Sequence, residues 1–192
     1  MDQQLEDQLG ALLDREDLKG AATLALQGYG PQIFGYLMAV LRNEAAADDA
    51  FAEFSEDLWT GLGAFRRECS VRTYAYKLAW HAGLRIARDP FRRRGQALLS
   101  SEAAELAQSI RSQTSPHLRT EVKDRMSELR ESLTPEEQTL LILRINRQLS
   151  WREVAEVIGV GEPVARKRFE RTKQRLRELA RAAGLVPDAK VD

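Results

Sequence analysis

The stretch LTPEEQTLLILRINRQLSWREVAEVIGVGEPVARKRFERTKQRLR, from Leu133 to Arg177, decides the reading of this chain. Thr134 is a good N-cap, Pro135 suits the first helical position, and Glu137 stands three residues after the cap. The helix they open runs through Leu140, Leu141, Leu143 and Ile145. Ser150 and Glu153 form a second capping box, S-x-x-E, which starts a short helix with Val154, Ala155 and Ile158 inward. Gly159 supplies the positive φ that ends a helix without strain, and Pro163 fits the first turn of the next one. Beyond it, Ala165, Phe169, Thr172, Leu176 and Leu179 recur at steps of four and three, forming one buried stripe.

The other face of that last helix carries Lys167, Arg171 and Gln174, flanked by Arg166 and Arg168. Arginine and lysine pair with guanine edges and grip phosphates. A basic face is often only solvated. Here it follows a capped helix and a tight turn in the order of a helix-turn-helix, which lays its last helix in the DNA major groove.

With 192 residues the chain holds one domain or two small ones. No apolar run approaches the roughly 20 residues that span a bilayer, so no membrane insertion is expected. The start, MDQQLEDQLG, is acidic and lacks a signal-peptide core. The single Cys69 excludes an internal disulfide and suits a reducing cytoplasm. A lone cysteine reads first as a small apolar residue.

The formal net charge is zero, but its distribution is uneven. Met1 to Ser70 holds 5 Lys/Arg against 13 Asp/Glu, net −8; Val71 to Arg119 holds 9 against 3, net +6; Thr120 to Asp192 holds 15 against 13, net +2. The acidic part should repel phosphate and face protein, while Arg85 to Arg94 could approach nucleic acid.

The N-terminal half also reads as helical. Leu5, Leu9, Leu12 and Leu13 mark a short amphipathic start. A second helix is predicted from about Leu18 to Gln27, broken by the turn signal Gly28-Tyr29-Gly30-Pro31, and a third from Gln32 to Arg42. A fourth spans Ala46 to Trp59, with Ala50, Phe51, Phe54, Leu58 and Trp59 on one side and Asp48, Asp49, Glu53, Glu56 and Asp57 as its acids. A loop with Gly61 and Gly63 follows, then a helix from about Arg72 to Arg88, which ends at Asp89-Pro90. Gln96 to Pro116, rich in Ser, Ala and Gln, reads as a linker with little core of its own and a short helix around Glu102 to Ser109. No alternating strand pattern and no internal repeat occurs, so the expected fold is all-α.

In this order of parts the chain resembles a sigma-70 family factor of the extracytoplasmic-function (ECF) type. AADDAFAEFSEDLW (Ala46 to Trp59) resembles the family's AEDVVQEVFLRLW helix; TYAYKLAWHAGLRIARDPFRRR (Thr73 to Arg94) resembles the helix that opens and reads the promoter minus-ten element. The Leu133 to Arg177 stretch resembles the domain that reads the minus-35 element. The resemblance implies two small helical domains, sigma-2-like over residues 1–95 and sigma-4-like over 121–184, with a linker over 96–120 and a tail over 185–192. It implies core RNA polymerase (β′ clamp helices and β flap) and promoter DNA as partners, regulation by an anti-sigma factor, and no cofactor or metal.

The resemblance assigns core-polymerase binding to Asp48, Asp49, Glu53, Phe54 and Asp57. Minus-ten contacts fall to Phe65, Arg66 and Arg67 in the loop Gly61 to Val71, and to Tyr74, Lys77, Trp80, His81, Arg85, Arg88, Arg92 and Arg93. Minus-35 contacts fall to Arg152, Arg166, Lys167, Arg168, Arg171 and Gln174. A flipped base is easier to hold where a pocket and stacking faces wait for it, which is the use expected for these aromatics. Tyr76, Trp80 and Leu84 lie at helical spacing, so at least one of them is expected in the core. The chain departs from the family at Ala52, Ser55, Tyr74-Ala75, Trp80-His81, Pro163 and Val164-Ala165-Arg166.

No phosphate loop, nucleophile elbow or metal-ligand cluster is present, and His81 and His117 stand in separate contexts, so no enzymatic activity is expected. Asp48, Asp49, Glu53 and Asp57 lack the histidine or partner helix that a metal site would add. Two other readings share the C-terminal motif: a helix-turn-helix regulator acting without polymerase, and a degenerate sigma-like protein that binds a partner without initiating. The segment Ala46 to Arg94 separates the first from a sigma factor, because a simple regulator needs no docking helix joined to a melting helix.

Overall fold

The computed structural model describes residues 2–89, 101–113 and 132–182. The chain divides into two compact units, Met1–Arg119 and Thr120–Asp192. Among the described residues all regular structure is helical.

The first unit contains α1 (Asp2–Asp14), α2 (Leu18–Leu41), α3 (Glu44–Gly61), a 3-10 turn (Leu62–Ala64), α4 (Val71–Arg88) and α5 (Ser101–Gln113). The expected break at Gly28-Tyr29-Gly30-Pro31 does not occur: α2 is one helix with Pro31 inside it. Proline there removes one backbone donor and crowds the preceding turn. Burial offsets that loss, because α1, α3, α4 and α5 all pack on α2. Its buried residues, from Ala21 through Leu26, Ile33 and Leu37 to Val40, form one face broader than half the helix. The glycines serve close approach instead of a turn. A Cβ on Gly28 would stand 2.3 Å from Leu5 of α1, and one on Gly30 would stand 3.0 Å from Ile110 of α5.

Around α2 the core is aromatic. Phe34 meets Phe51 edge to face at 5.4 Å, Tyr36 meets Tyr76 likewise at 5.7 Å, and Phe54 lies 5.5 Å from Phe51. Ser55, where the family resemblance expects phenylalanine, is wholly buried and donates its hydroxyl to the Phe51 carbonyl at 2.7 Å. That bond satisfies the only polar group the substitution brings inside. Helix α5, in the stretch expected to be a linker with little core of its own, packs on α2 and α3 with Ala103, Ala107 and Ile110 buried. Those three positions form a stripe at steps of four and three.

In the second unit, α6 (Pro135–Leu141) runs into a π turn (Ile142–Asn146), followed by α7 (Trp151–Ile158) and α8 (Glu162–Ala182). Both capping boxes are closed. Thr134 N–H donates to Glu137 at 2.8 Å, Ser150 N–H donates to Glu153 at 2.7 Å, and each cap hydroxyl accepts the return bond at 3.3 Å. Gly159 has φ 71°. The uniform first helix expected from the leucine pattern instead widens after Leu141, and Arg147 N–H donates to the Ile142 carbonyl five residues back at 2.9 Å. The wider turn buries Leu143 while leaving Ile145 exposed. α8 packs on α6 and α7 through Ala165, Phe169 and Thr172, with Leu176 and Leu179 half-buried at its far end.

Candidate nucleic-acid interface

In the first unit the candidate surface is one face of α4 and the loop before it. The start of α4 has its backbone donors occupied. Val71 and Arg72 N–H groups donate to the two carboxylate oxygens of Glu6 at 2.9 and 2.8 Å, and Thr73 N–H donates to the Ser70 hydroxyl at 3.1 Å. Tyr29 donates its hydroxyl to the same Glu6 carboxylate at 2.5 Å. A carboxylate at a helix N-terminus satisfies orphan donors and complements the helix dipole. Helix α1 therefore anchors α4 from a distance in sequence where no local signal points to it, and Glu6 is a residue that sequence reasoning missed.

Tyr74, Lys77, His81, Arg85 and Arg88 recur at steps of three and four along α4, so they share one face. Phe65 stacks on Tyr74 with ring centroids 4.8 Å apart, and the Tyr74 hydroxyl donates to the Gly61 carbonyl at 3.3 Å. Burial raises the Tyr74 phenol pKa, and the Asp57 charge raises it further. His81 is exposed, yet partial burial together with the Lys77 and Arg85 charges lowers its pKa. Arg66 and Arg67 are exposed, and Arg67, at φ 58°, pairs with Asp14 at the end of α1.

Arg85 does not project freely. It donates to Glu53 at 2.7 Å and to Asp57 at 2.6 Å, joining α4 to α3. Partial burial opposes its charge, but these two hydrogen bonds outweigh that and hold its pKa above the ordinary value. Two candidates lie in the core rather than on a surface: Phe54 is wholly buried and Trp80 is 6% exposed. Phe54 belongs to the α3 stripe Ala47, Ala50, Phe51, Phe54 and Leu58, and Trp80 lies one turn from the buried Tyr76. Both support their helices from inside. Asp48 and Asp49 are half-buried on α3, with Arg111 of α5 donating to the Asp48 carbonyl at 3.4 Å. Arg88 is exposed at the end of α4; Arg92 and Arg93 lie outside the described residues.

In the second unit the candidate surface is the outer side of α8. Lys167 and Arg171 are exposed and carry no ion pair among the described residues. Their neighbours are engaged. Arg168 pairs with Glu136, Arg175 with Glu137 at 3.1 Å, and Gln174 donates to Glu178 at 3.1 Å. Arg166 donates to Glu162 through Nε at 3.1 Å and also through Nη2. Arg166 and Arg144 both lie over the Trp151 ring, at 5.3 and 5.0 Å from its centroid, and Phe169 meets that ring T-shaped at 5.1 Å. Arg152 is exposed in the first turn of α7. Trp151 and Glu162 are further residues that the sequence reading did not single out. The capping box drew attention to Ser150 and Glu153, and an aromatic side chain beside a cap carries no motif of its own.

These features define a helical protein whose first unit joins an acidic helix to a helix bearing aromatic, basic and histidine side chains on one face, and whose second unit has the helix order of a helix-turn-helix. The Sigma-70 region 2 family matches residues 25–95, which hold most of α2 together with α3 and α4. The RNA polymerase sigma factor YlaC of Bacillus subtilis is 28% identical over 134 residues, spanning 68% of this chain and 75% of its own length. The probable RNA polymerase sigma factor RfaY of Xanthomonas campestris pv. campestris is 26% identical over 183 residues, spanning 89% of this chain and 44% of its own length. Over residues 25–95 the chain is thus similar to the Sigma-70 region 2 family, and over more of its length to the sigma factors of two bacteria.

Proposed function

We propose that this chain is an alternative sigma factor that directs core RNA polymerase to specific promoters in the cytoplasm and starts DNA-templated transcription. The carrying observation is the joint between α3 and α4 inside the matched region, where Arg85 links Glu53 and Asp57 to the face bearing Tyr74, Lys77 and His81. An acidic helix steers toward basic partner residues, here the clamp helices of the polymerase. The adjoining α4 face offers Phe65 and Tyr74 as a stacking pair for an unpaired base, and Lys77 and Arg88 for phosphate.

The second unit contributes minus-35 reading through α8, with Lys167 and Arg171 toward the DNA and Arg152 near the backbone. The polymerase β flap is a further contact of this unit, and a separate anti-sigma protein that covers these faces is the regulator such a chain uses. The test is binding of the purified chain to sigma-free core polymerase, with transcription from genomic DNA fragments in the same tube. Binding with discrete start sites is the expected result. Binding without transcripts would mark a degenerate factor. Failure to bind polymerase, with specific duplex affinity retained, would move the chain to the helix-turn-helix regulators.

A further inference from the structure

The basic side chains of α8 are not equivalent. Lys167 and Arg171 stand exposed without an ion pair among the described residues. Arg166, in the first turns of the same helix, is held by two groups from different directions. Glu162, one turn before it, accepts from Nε and Nη2, and the Trp151 ring of α7 lies 5.3 Å from the guanidinium carbon. Trp151 is itself fixed by the T-shaped contact with the buried Phe169 and by Arg144, whose Nη1 donates to the Leu149 carbonyl at 2.8 Å. The ring that carries Arg166 thus has little freedom to move.

We propose that Trp151 and Glu162 are positioning residues that fix the Arg166 guanidinium and make Arg166, rather than Lys167 or Arg171, the chief base-discriminating side chain of α8. The inference rests on the reading of α8 as the helix that enters the major groove. An arginine reads guanine with two parallel N–H bonds to O6 and N7, which needs the guanidinium plane held in one orientation. Glu162 takes the Nε edge, and no described residue takes up Nη1, so the end of the fork remains open for that contact. An ordered side chain gives up less conformational freedom on binding than a mobile one. Lys167 and Arg171, with no such support, suit phosphate, where a mobile point charge is enough.

The experiment uses the full chain and a randomised duplex DNA library. The wild-type protein first selects a preferred sequence, and each variant is then measured for affinity to that duplex and to a scrambled one. Trp151→Phe keeps an aromatic ring against Phe169, and Glu162→Gln keeps the side-chain shape; circular dichroism melting confirms that both fold. Each is expected to reduce the preferred-over-scrambled ratio by about tenfold while scrambled affinity changes less than about twofold. Arg166→Ala should lose the same preference, and Trp151→Phe combined with it should lose no more, because both act through one contact. Equal weakening on both duplexes, or a further loss in the double variant, overturns the inference. If the wild type selects no sequence at all, the groove-binding reading of α8 falls, and the inference with it.

Discussion

Arg85 and Glu53 join α4 to α3 through a hydrogen bond of 2.7 Å, and the same guanidinium reaches Asp57 at 2.6 Å. The two carboxylates are one helical turn apart and would repel each other without it. Arg85→Ala should therefore destabilise the first unit by about 1–2 kcal/mol. Arg85→Lys should recover only part of that, because an ammonium lacks the planar fork. Urea unfolding followed by circular dichroism measures both; an unchanged midpoint in Arg85→Ala would show that the link does not close in solution.

Glu6 should matter to a helix that begins 65 residues later, since it caps Val71 and Arg72. Glu6→Ala is expected to cost about 1–2 kcal/mol, and Glu6→Gln less, because an amide oxygen still accepts one bond. Hydrogen exchange at the amides of Val71 and Arg72 provides the direct reading. Protection there should drop in Glu6→Ala and stay intact in the neighbouring Asp7→Ala.

Acid should loosen the second unit through Glu137. Burial alone would raise its pKa, but the Thr134 hydrogen bonds and the Arg175 charge lower it below 4.5. A depressed carboxylate contributes stability that is fully present above its unfolded pKa, and that share disappears as pH falls through the lower native value. Thermal midpoints of the wild type should fall on acidification below about pH 4.5. Glu137→Gln should begin lower at neutral pH and show a shallower decline. Parallel curves for the two proteins would remove Glu137 from the account.

At Gly159 the φ is 71° and an added Cβ would meet nothing within 4 Å. The penalty of Gly159→Ala is then purely one of backbone conformation, about 1–2 kcal/mol. Gly159→Asn should fall between the two, since asparagine tolerates the left-handed region. Denaturant midpoints of the three proteins give the order directly.

Lys167 and Arg171 should act as phosphate contacts. Replacing both by alanine should lower the slope of log affinity against log salt by about 2, with similar losses on preferred and scrambled duplexes. A loss confined to the preferred duplex would make them base readers and contradict their assignment.

Much of the second unit is legible because its signals are local. Thr134 with Glu137, Ser150 with Glu153, and Gly159 each act within one helical turn, and the structure places each as expected. Short-range rules fail where distant packing decides. Pro31 and its flanking glycines carry the signature of a turn, yet α1, α3, α4 and α5 enclose the segment and keep it helical. Phe54 and Trp80 carry the chemistry of contact residues, but their places in apolar stripes put them inside. Arg85 was expected among the minus-ten contacts; its partners lie 28 and 32 residues earlier, beyond any local pattern. The roles of Glu6 and Trp151 depend on neighbours in other helices, which no spacing in the sequence discloses.

The cap that Glu6 places on α4 bears on how the chain can be dissected. The region 2 match begins at residue 25, and α1 ends at Asp14, so a fragment cut at that boundary discards the cap. It would keep α3, α4 and most of α2 and still begin α4 with bare Val71 and Arg72 amides, while Gly28 would lose the Leu5 side chain seated on it. Weak behaviour of such a fragment would report on the place of the cut and not on the competence of α3 and α4.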